Sequence, residues 1–341
     1  MSPERTRAKL TGMSVAVPFP DVQPSGYAWL EDEPAFDPAI HLQLEMPAES
    51  LTLSDLGYGP DDISNKATAF AVSAPFRVLS DEGARVMLES CRRLRAFHRR
   101  AGERIEQTVR GGCYRSRFLR DVSLSPQVTA HLSAIYQVDV APHPMPVHLG
   151  HLNYEPTNIN ENVDKWHHDT LPLDFVMMVT DPATLQGGQF EWFRGTKAEA
   201  AELAASGQTP PRDRVVQPDF PAAGYAIALH GNMVVHRAAG LDAPGERITM
   251  VNGYVATDTS TDDQSRNADL IVVDDPEVLW TEWARFAAWR SAGRLQSVID
   301  DLPFGITAEQ AADTLEAAIA DAQRAVDEMR AGAPDAIHHY E

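Results

Sequence analysis

Between residues 145 and 256 the chain reads as short apolar runs cut by Gly, Pro, Asp and Asn. The runs predict eight strands, near 145–155, 164–169, 173–180, 188–193, 213–217, 224–230, 233–238 and 246–256. A series of short strands packed into about 110 residues fits a double-sheet jelly roll. One insertion interrupts it. Thr196 and Glu199 stand three apart, as in a capping box, and predict a short helix that ends near Gly207.

The flanks have a different period. Ser80, followed by Asp81 and Glu82, reads as the start of a helix over roughly 81–105, with Val86, Leu88, Leu94 and Phe97 on its buried side. Ser125-Pro126 opens a second helix that runs to about Gln137. Past residue 257, Asp275-Pro276 caps a helix carrying Leu279, Trp283 and Phe286. Thr307 and Gln310 begin another, with Leu315, Ala318, Ile319, Ala322, Ala325, Val326 and Met329 at three- or four-residue steps until Gly332. This pair predicts a helical hairpin packed on the roll, or a homodimer contact. Residues 1–65 are rich in Pro, Asp and Glu without a sustained period; they predict an irregular arm, disordered at its very start. The expected organisation is one integrated domain: an N-terminal arm and supporting helices over 1–144, the β core over 145–256, and a helical extension over 257–341.

Charge narrows the partners. The 341 residues carry 29 Lys and Arg against 49 Asp and Glu, a net of −20. Nucleic acid and anionic membrane surfaces both call for a basic footprint, so neither is expected as a partner. No run approaches the length of an apolar membrane span, and the N-terminus has no signal-peptide pattern. Cys91 and Cys113 fit neither a metal spacing nor a disulfide framework, which suggests a reducing, cytoplasmic setting.

Within Trp166-His167-His168-Asp169, positions i and i+2 of a strand share a face. His167 and Asp169 are therefore presented together, and His168 points the other way. They supply two parts of a 2-His-1-carboxylate triad. His236, on the β-branched strand Met233-Val234-Val235-His236-Arg237, is the candidate third donor. Arg247 follows eleven residues later and shares a face with Thr249, a guanidinium beside a hydroxyl that suits a carboxylate.

This ordered pattern resembles the iron(II)/2-oxoglutarate-dependent oxygenases. The flanking text is similar too: Gly224-Tyr225-Ala226-Ile227-Ala228-Leu229 runs into His230-Gly231-Asn232 before His236, and Gly187-Gly188-Gln189-Phe190 looks like the family's glycine turn. The likeness covers roughly residues 145–256. Glu155 departs from it, standing where plant-type members have a tyrosine that helps hold the cosubstrate. The resemblance implies a double-stranded β-helix (a jelly roll, cupin-like) with helical arms. It implies His167, Asp169 and His236 as catalytic metal ligands for Fe(II), and Arg247 with Thr249 as the grip on 2-oxoglutarate. O2 would be consumed, 2-oxoglutarate would yield succinate and CO2, and ascorbate would serve as reductant. An aspartate at 169, where halogenating members have a small residue, points to hydroxylation, desaturation or cyclisation. The expected substrate is a small molecule such as an amino acid or biosynthetic intermediate. The alternatives are a protein or carrier-bound substrate, or a non-catalytic jelly-roll binding protein.

Other groups have weaker readings. In the basic stretch 110–120, Arg115 and Arg117 share a face if the segment is extended, and form either a substrate anion clamp or surface salt bridges. Trp166 is either a wall of the substrate pocket or core. His143, His148 and His151 are expected to be structural, with His148 and His151 on opposite sides of a strand. His230 is expected to contact backbone, and His338 and His339 to lie in a solvated tail. Trp280, Trp283 and Trp289 are expected to pack helices.

Overall fold

The structure, a computed structural model, describes residues 17–159, 161–332 and 340. Fourteen strands are found among these residues. β1 (Ser50–Thr52), β2 (Phe70–Ser73), β3 (Phe76–Arg77), β4 (Arg99–Ala101), β5 (Ile105–Val109) and β6 (Val140–Pro142) precede the predicted core. The core itself is β7 (His151–Tyr154), β8 (Asp164–His167), β9 (Leu173–Met178), β10 (Phe190–Phe193), β11 (Val215–Val216), β12 (Tyr225–Leu229), β13 (His236–Ala238) and β14 (Ile248–Ala256). The helices are α1 (Pro38–His41), α2 (Pro60–Ile63), α3 (Asp81–Leu94), α4 (Arg117–Ser123), α5 (Pro126–Tyr136), α6 (Lys197–Ala205), α7 (Asn267–Leu270), α8 (Pro276–Asp301) and α9 (Ala308–Ala331).

The eight core strands divide between two sheets. β7, β14, β9 and β12 lie side by side in the larger sheet, and β8, β13, β10 and β11 make the smaller one. Sequential strands thus cross from sheet to sheet, with β10 and β11 forming the turn-back pair. This is the winding of a double-stranded β-helix. Both faces of the larger sheet are buried. On β9, Leu173, Phe175 and Met177 pack outward with the helical core of α3 and α5, whereas Val176 and Met178 pack inward toward Phe190 and Trp192 of the smaller sheet. On β14 the same alternation sends Ile248, Met250 and Tyr254 outward. It leaves Arg247, Thr249 and Val251 facing the space between the sheets.

The structure differs from the sequence reading at three places before residue 150. The helix from Ser80 stops at Leu94, and the chain after His98 folds back as the β4–β5 hairpin. β5 then pairs with β7, Thr108 opposite Asn153, and extends the larger sheet. Residues 110–120 are not extended. Gly111 takes a left-handed φ of 64°, Gly112–Tyr114 form a 3₁₀ turn, and Ser116 caps α4. Gly112 is dictated by space, because a Cβ there would lie 2.4 Å from the Gly150 carbonyl oxygen. The predicted strand at 145–155 begins only at His151, since Pro146–His148 form a 3₁₀ turn.

The predicted caps at Thr196, Asp275 and Thr307 all form, and α8 and α9 make the expected hairpin. α8 buries Val278, Leu279, Trp283, Phe286 and Ala287 against Met145, Val147, Val255 and Leu270. Trp280 and Trp289 are only half-buried. Leu315 and Ile319 of α9 are exposed. Among the described residues, no helix is long and apolar enough to cross a membrane. His338 and His339 lie outside the described residues.

Trp283→Ala should therefore cost about 3–5 kcal/mol of stability, and Leu315→Ala less than about 0.5 kcal/mol. Urea denaturation midpoints of the two variants test the difference.

Candidate metal and cosubstrate site

β8 and β13 are neighbours in the smaller sheet, and His167 stands directly opposite His236. Their ring centroids are 4.3 Å apart. Each Nε2 lies 3.4 Å from a different carboxylate oxygen of Asp169. The other ring nitrogens turn away: His167 Nδ1 meets the Lys165 carbonyl at 2.6 Å, and His236 Nδ1 meets that of Val234 at 3.0 Å. A proton on Nδ1 donating to a carbonyl leaves Nε2 free as a ligand, so the backbone sets the tautomer that metal binding needs. The three donor atoms lie within 4.8 Å of one another.

Asp169 follows the end of β8, where its backbone N–H donates to the Gly231 carbonyl at 2.9 Å. Gly231 must be glycine for this approach: a Cβ would lie 2.0 Å from Asp174 Oδ2 and 3.1 Å from the Asp169 Cβ. A bulge in β8 matters as well. His236 and Ala238, two apart, face His167 and Asp164, three apart. The extra residue turns Asp164 into the cleft, although simple alternation would have placed it with Trp166. Its Oδ2 sits 3.6 Å from His167 Nε2, and its Oδ1 is 2.9 Å from Arg104 Nε.

The electrostatics suit a cation. Burial alone would raise the Asp169 carboxyl, but a charged His236 and the His167 hydrogen bond outweigh it and hold the group well below its usual range. Burial, together with repulsion from His167, pushes His236 down to about 4. Burial and the Asp169 charge push the neighbouring Asp174 up. At neutral pH these shifts leave a neutral imidazole beside an ionised carboxylate, the donor set of a divalent metal.

Arg247 is almost fully buried, yet not fully paired. Its Nε donates to the Gly188 carbonyl at 2.6 Å, and its Nη1 reaches Thr249 Oγ1 at 3.5 Å. Its backbone N–H donates to Glu155, which is itself bound by Arg95. Nη2 has no partner among the described residues. Burial pulls this guanidinium down to about 10, with Asp164 and Glu155 opposing the shift. It remains a cation at neutral pH, and a buried cation with an unused donor is costly unless an anion meets it. Donor set and cation line one cleft holding about 990 Å³ of empty space, part of it open to solvent. The residues present thus fit both a divalent metal and a carboxylate-bearing ligand.

The predicted residues His167, Asp169, His236, Arg247 and Thr249 all face this cleft. Arg115, Arg117 and Trp166 do not line it. The Arg115 guanidinium lies over Tyr27 and Phe97, and that of Arg117 over Trp29. The helical turn at Ser116 removes the shared face expected of them. Trp166 is buried with Phe193 and Val235 on the far side of β8. His168, expected to point the other way, also contributes to the cleft lining; its Nδ1 lies 2.6 Å from the Tyr340 hydroxyl and its Nε2 3.1 Å from Arg266. His230 Nδ1 meets the Phe70 carbonyl at 2.9 Å.

His148 and His151, expected to be structural and on opposite sides, both line the cleft. The alternation rule fails there because His148 sits in the 3₁₀ turn rather than in β7. Arg104, Asn153, Asp164 and Asp269 also line it and carried no such reading from sequence. Asn153, two residues from His151 on one strand, was the one with a readable signal.

No family model matches the sequence, and a search of curated proteins finds no relative. Solved structures of similar outline include the non-heme alpha ketoglutarate dependent carbocyclase SnoK from nogalamycin biosynthesis. It is 15% identical over 62% of this chain and 88% of its own, at a TM-score of 0.42. The epimerase SnoN of the same biosynthesis is 17% identical over 52% and 75%, with a TM-score of 0.38. EctD from S. alaskensis with bound Fe is 15% identical over 72% and 89%, with a TM-score of 0.40. Likeness at this level carries neither activity nor substrate across, and nothing in it supports a homodimer through the C-terminal helices. The functional reading rests on the site's own geometry.

Two measurements test that geometry. Gly188 has a φ of 72°, and a Cβ there would come within 2.9 Å of the Arg247 Cδ. Gly188→Ala should weaken binding of 2-oxoglutarate about 10-fold or more by displacing the guanidinium, as read by calorimetry. Burial also lowers His143 to about 3 and His230 to about 4, alongside His236. The unfolded chain takes up these protons near pH 6.5, and the folded one does not. Stability of the metal-free protein should therefore fall as pH drops from about 6.5 toward 4. Urea midpoints should follow that fall, and His230→Gln should flatten it.

Proposed function

We propose that the protein is a non-haem iron(II), 2-oxoglutarate-dependent oxygenase acting on a small molecule. His167, Asp169 and His236 hold Fe(II), and Arg247 with Thr249 binds the distal carboxylate of 2-oxoglutarate. The observation that carries this reading is the unpartnered Nη2 of a buried Arg247, facing the same cleft as a two-histidine, one-carboxylate donor set. Three protein donors of this kind would hold a metal that also takes a keto acid and O2.

The bound metal and keto acid supply the oxidising power. A substrate C–H becomes C–OH while 2-oxoglutarate and O2 become succinate and CO2, one oxygen atom going to each organic product. Desaturation or ring closure would use the same site. The chain's own residues orient and insulate. The Lys165 and Val234 carbonyls fix the ligand tautomers, and Gly231 sets the position of Asp169. Gly188 and Glu155 hold Arg247 so that its free edge points inward. The apolar wall formed by Phe190, Val176 and Val251 keeps water from the inner end. Ascorbate serves only to keep the metal reduced.

Anaerobic addition of Fe(II) and 2-oxoglutarate should produce a weak visible charge-transfer band. His236→Ala should abolish it, and Arg247→Leu should raise the 2-oxoglutarate concentration it needs by roughly 10- to 100-fold. Absence of the band from wild-type protein would exclude the oxygenase reading and leave a binding protein.

A further inference from the structure

Besides the metal donors and Arg247, the cleft is lined by two charged groups of opposite sign, Asp269 and Arg104. Asp269, in α7, receives Nε and Nη2 of Arg266 on Oδ2, at 3.1 and 2.8 Å. Its Oδ1 is shielded from solvent and has no partner among the described residues. Arg266 is fixed in turn: its backbone N–H donates to Thr170 Oγ1 at 2.8 Å, and Thr170 is the residue after Asp169. The unused carboxylate oxygen is thus tied to the chain segment that carries a metal donor. Arg104 enters from the turn of the β4–β5 hairpin. Its Nε lies 2.9 Å from Asp164 Oδ1, and the side chain is one-fifth exposed, so its outer edge can take a second anion. Both side chains line the cleft, as do the apolar residues Ala101, Ile105, Leu270 and Val273.

We propose that the substrate is a free α-amino acid with an apolar side chain. Its ammonium group donates to Asp269 Oδ1, its carboxylate takes the outer edge of Arg104, and its side chain lies toward the metal donors. The inference rests on the oxygenase reading for where the reacting carbon must sit. The chemistry of each group supports it. An outer guanidinium edge matches two carboxylate oxygens. A shielded carboxylate oxygen without a donor is offset by an ammonium group. The charge balance agrees. A divalent metal, one carboxylate ligand, a dianionic keto acid and the Arg247 cation sum to zero. Arg104 with Asp164, and Arg266 with Asp269, are neutral pairs. A zwitterion adds no net charge to the cleft. A carrier-linked amino acid has a thioester in place of the carboxylate, and would leave the Arg104 edge unused.

The test is calorimetric binding to wild-type protein loaded with Mn(II) and 2-oxoglutarate. The probes are valine, leucine, isoleucine, methionine and phenylalanine, each as the free amino acid, the amide and the N-acetyl derivative. At least one free amino acid should bind, with its amide and N-acetyl forms roughly 10- to 100-fold weaker. Asp269→Asn should weaken the free amino acid by a similar factor while barely changing the N-acetyl form. Arg104→Gln should do the same with respect to the amide. Loaded protein that binds none of the five free amino acids, or holds a blocked form as tightly as the free one, overturns the inference and leaves the oxygenase reading standing. Protein that fails to take up Mn(II) and 2-oxoglutarate overturns that reading, and this inference with it.

Discussion

The site depends on one register. His167 on β8 pairs directly with His236 on β13, and a slip of one residue would send both rings to opposite faces of the smaller sheet. The bulge beside the pair fixes that register and, by the same extra residue, delivers Asp164 to the cleft. The Gly231 turn then sets Asp169 against both imidazoles. Nothing else in the cleft has a purpose unless these two strands pair as they do. Arg247 immediately precedes β14 of the other sheet, so the gap between the two sheets sets its distance from the donor set. Val176, Phe190 and Val251 perform that spacing at the inner end.

Much of this was legible in the sequence because the core obeys simple periods. Eight strands were expected between residues 145 and 256 and eight are found, and the helix caps at Ser80, Ser125, Thr196, Asp275 and Thr307 stand where their hydroxyl or carboxylate chemistry put them. The spacing i, i+2 placed His167 with Asp169, and Arg247 with Thr249, on inner faces. What failed did so where the period was broken. Arg115 and Arg117 were judged on an extended backbone that a glycine pair and a Ser116 cap convert into helical turns. His148 was assigned by alternation to a strand that begins only at His151. Arg104 and Asp269 were silent because each sits in a turn or a single helical turn, where no period announces which way a side chain points.

Along one wall of the cleft runs a buried polar cluster of a kind that costs stability unless complete. Arg110 grips Asp274 through two hydrogen bonds of 2.8 and 2.7 Å, and lies 3.3 Å from His148. Close by, Glu282 of α8 accepts from the Tyr114 hydroxyl at 2.7 Å and from the Val147 N–H at 3.0 Å, while burial raises its carboxyl to about 8. Asp274 and Glu282 belong to the C-terminal extension, whereas Arg110, Tyr114 and His148 precede the roll. The first helix of the hairpin therefore contributes to the cleft's support.

β8 is the outer strand of the smaller sheet, and an outer strand offers unpaired backbone groups to any neighbour. Tyr340 occupies that edge: its N–H donates to the Trp166 carbonyl at 2.7 Å and its hydroxyl engages His168. Tyr340 thus shields the strand that carries His167 and leads into Asp169. Loss of the Tyr340 contact would bare this edge and invite strand-to-strand aggregation.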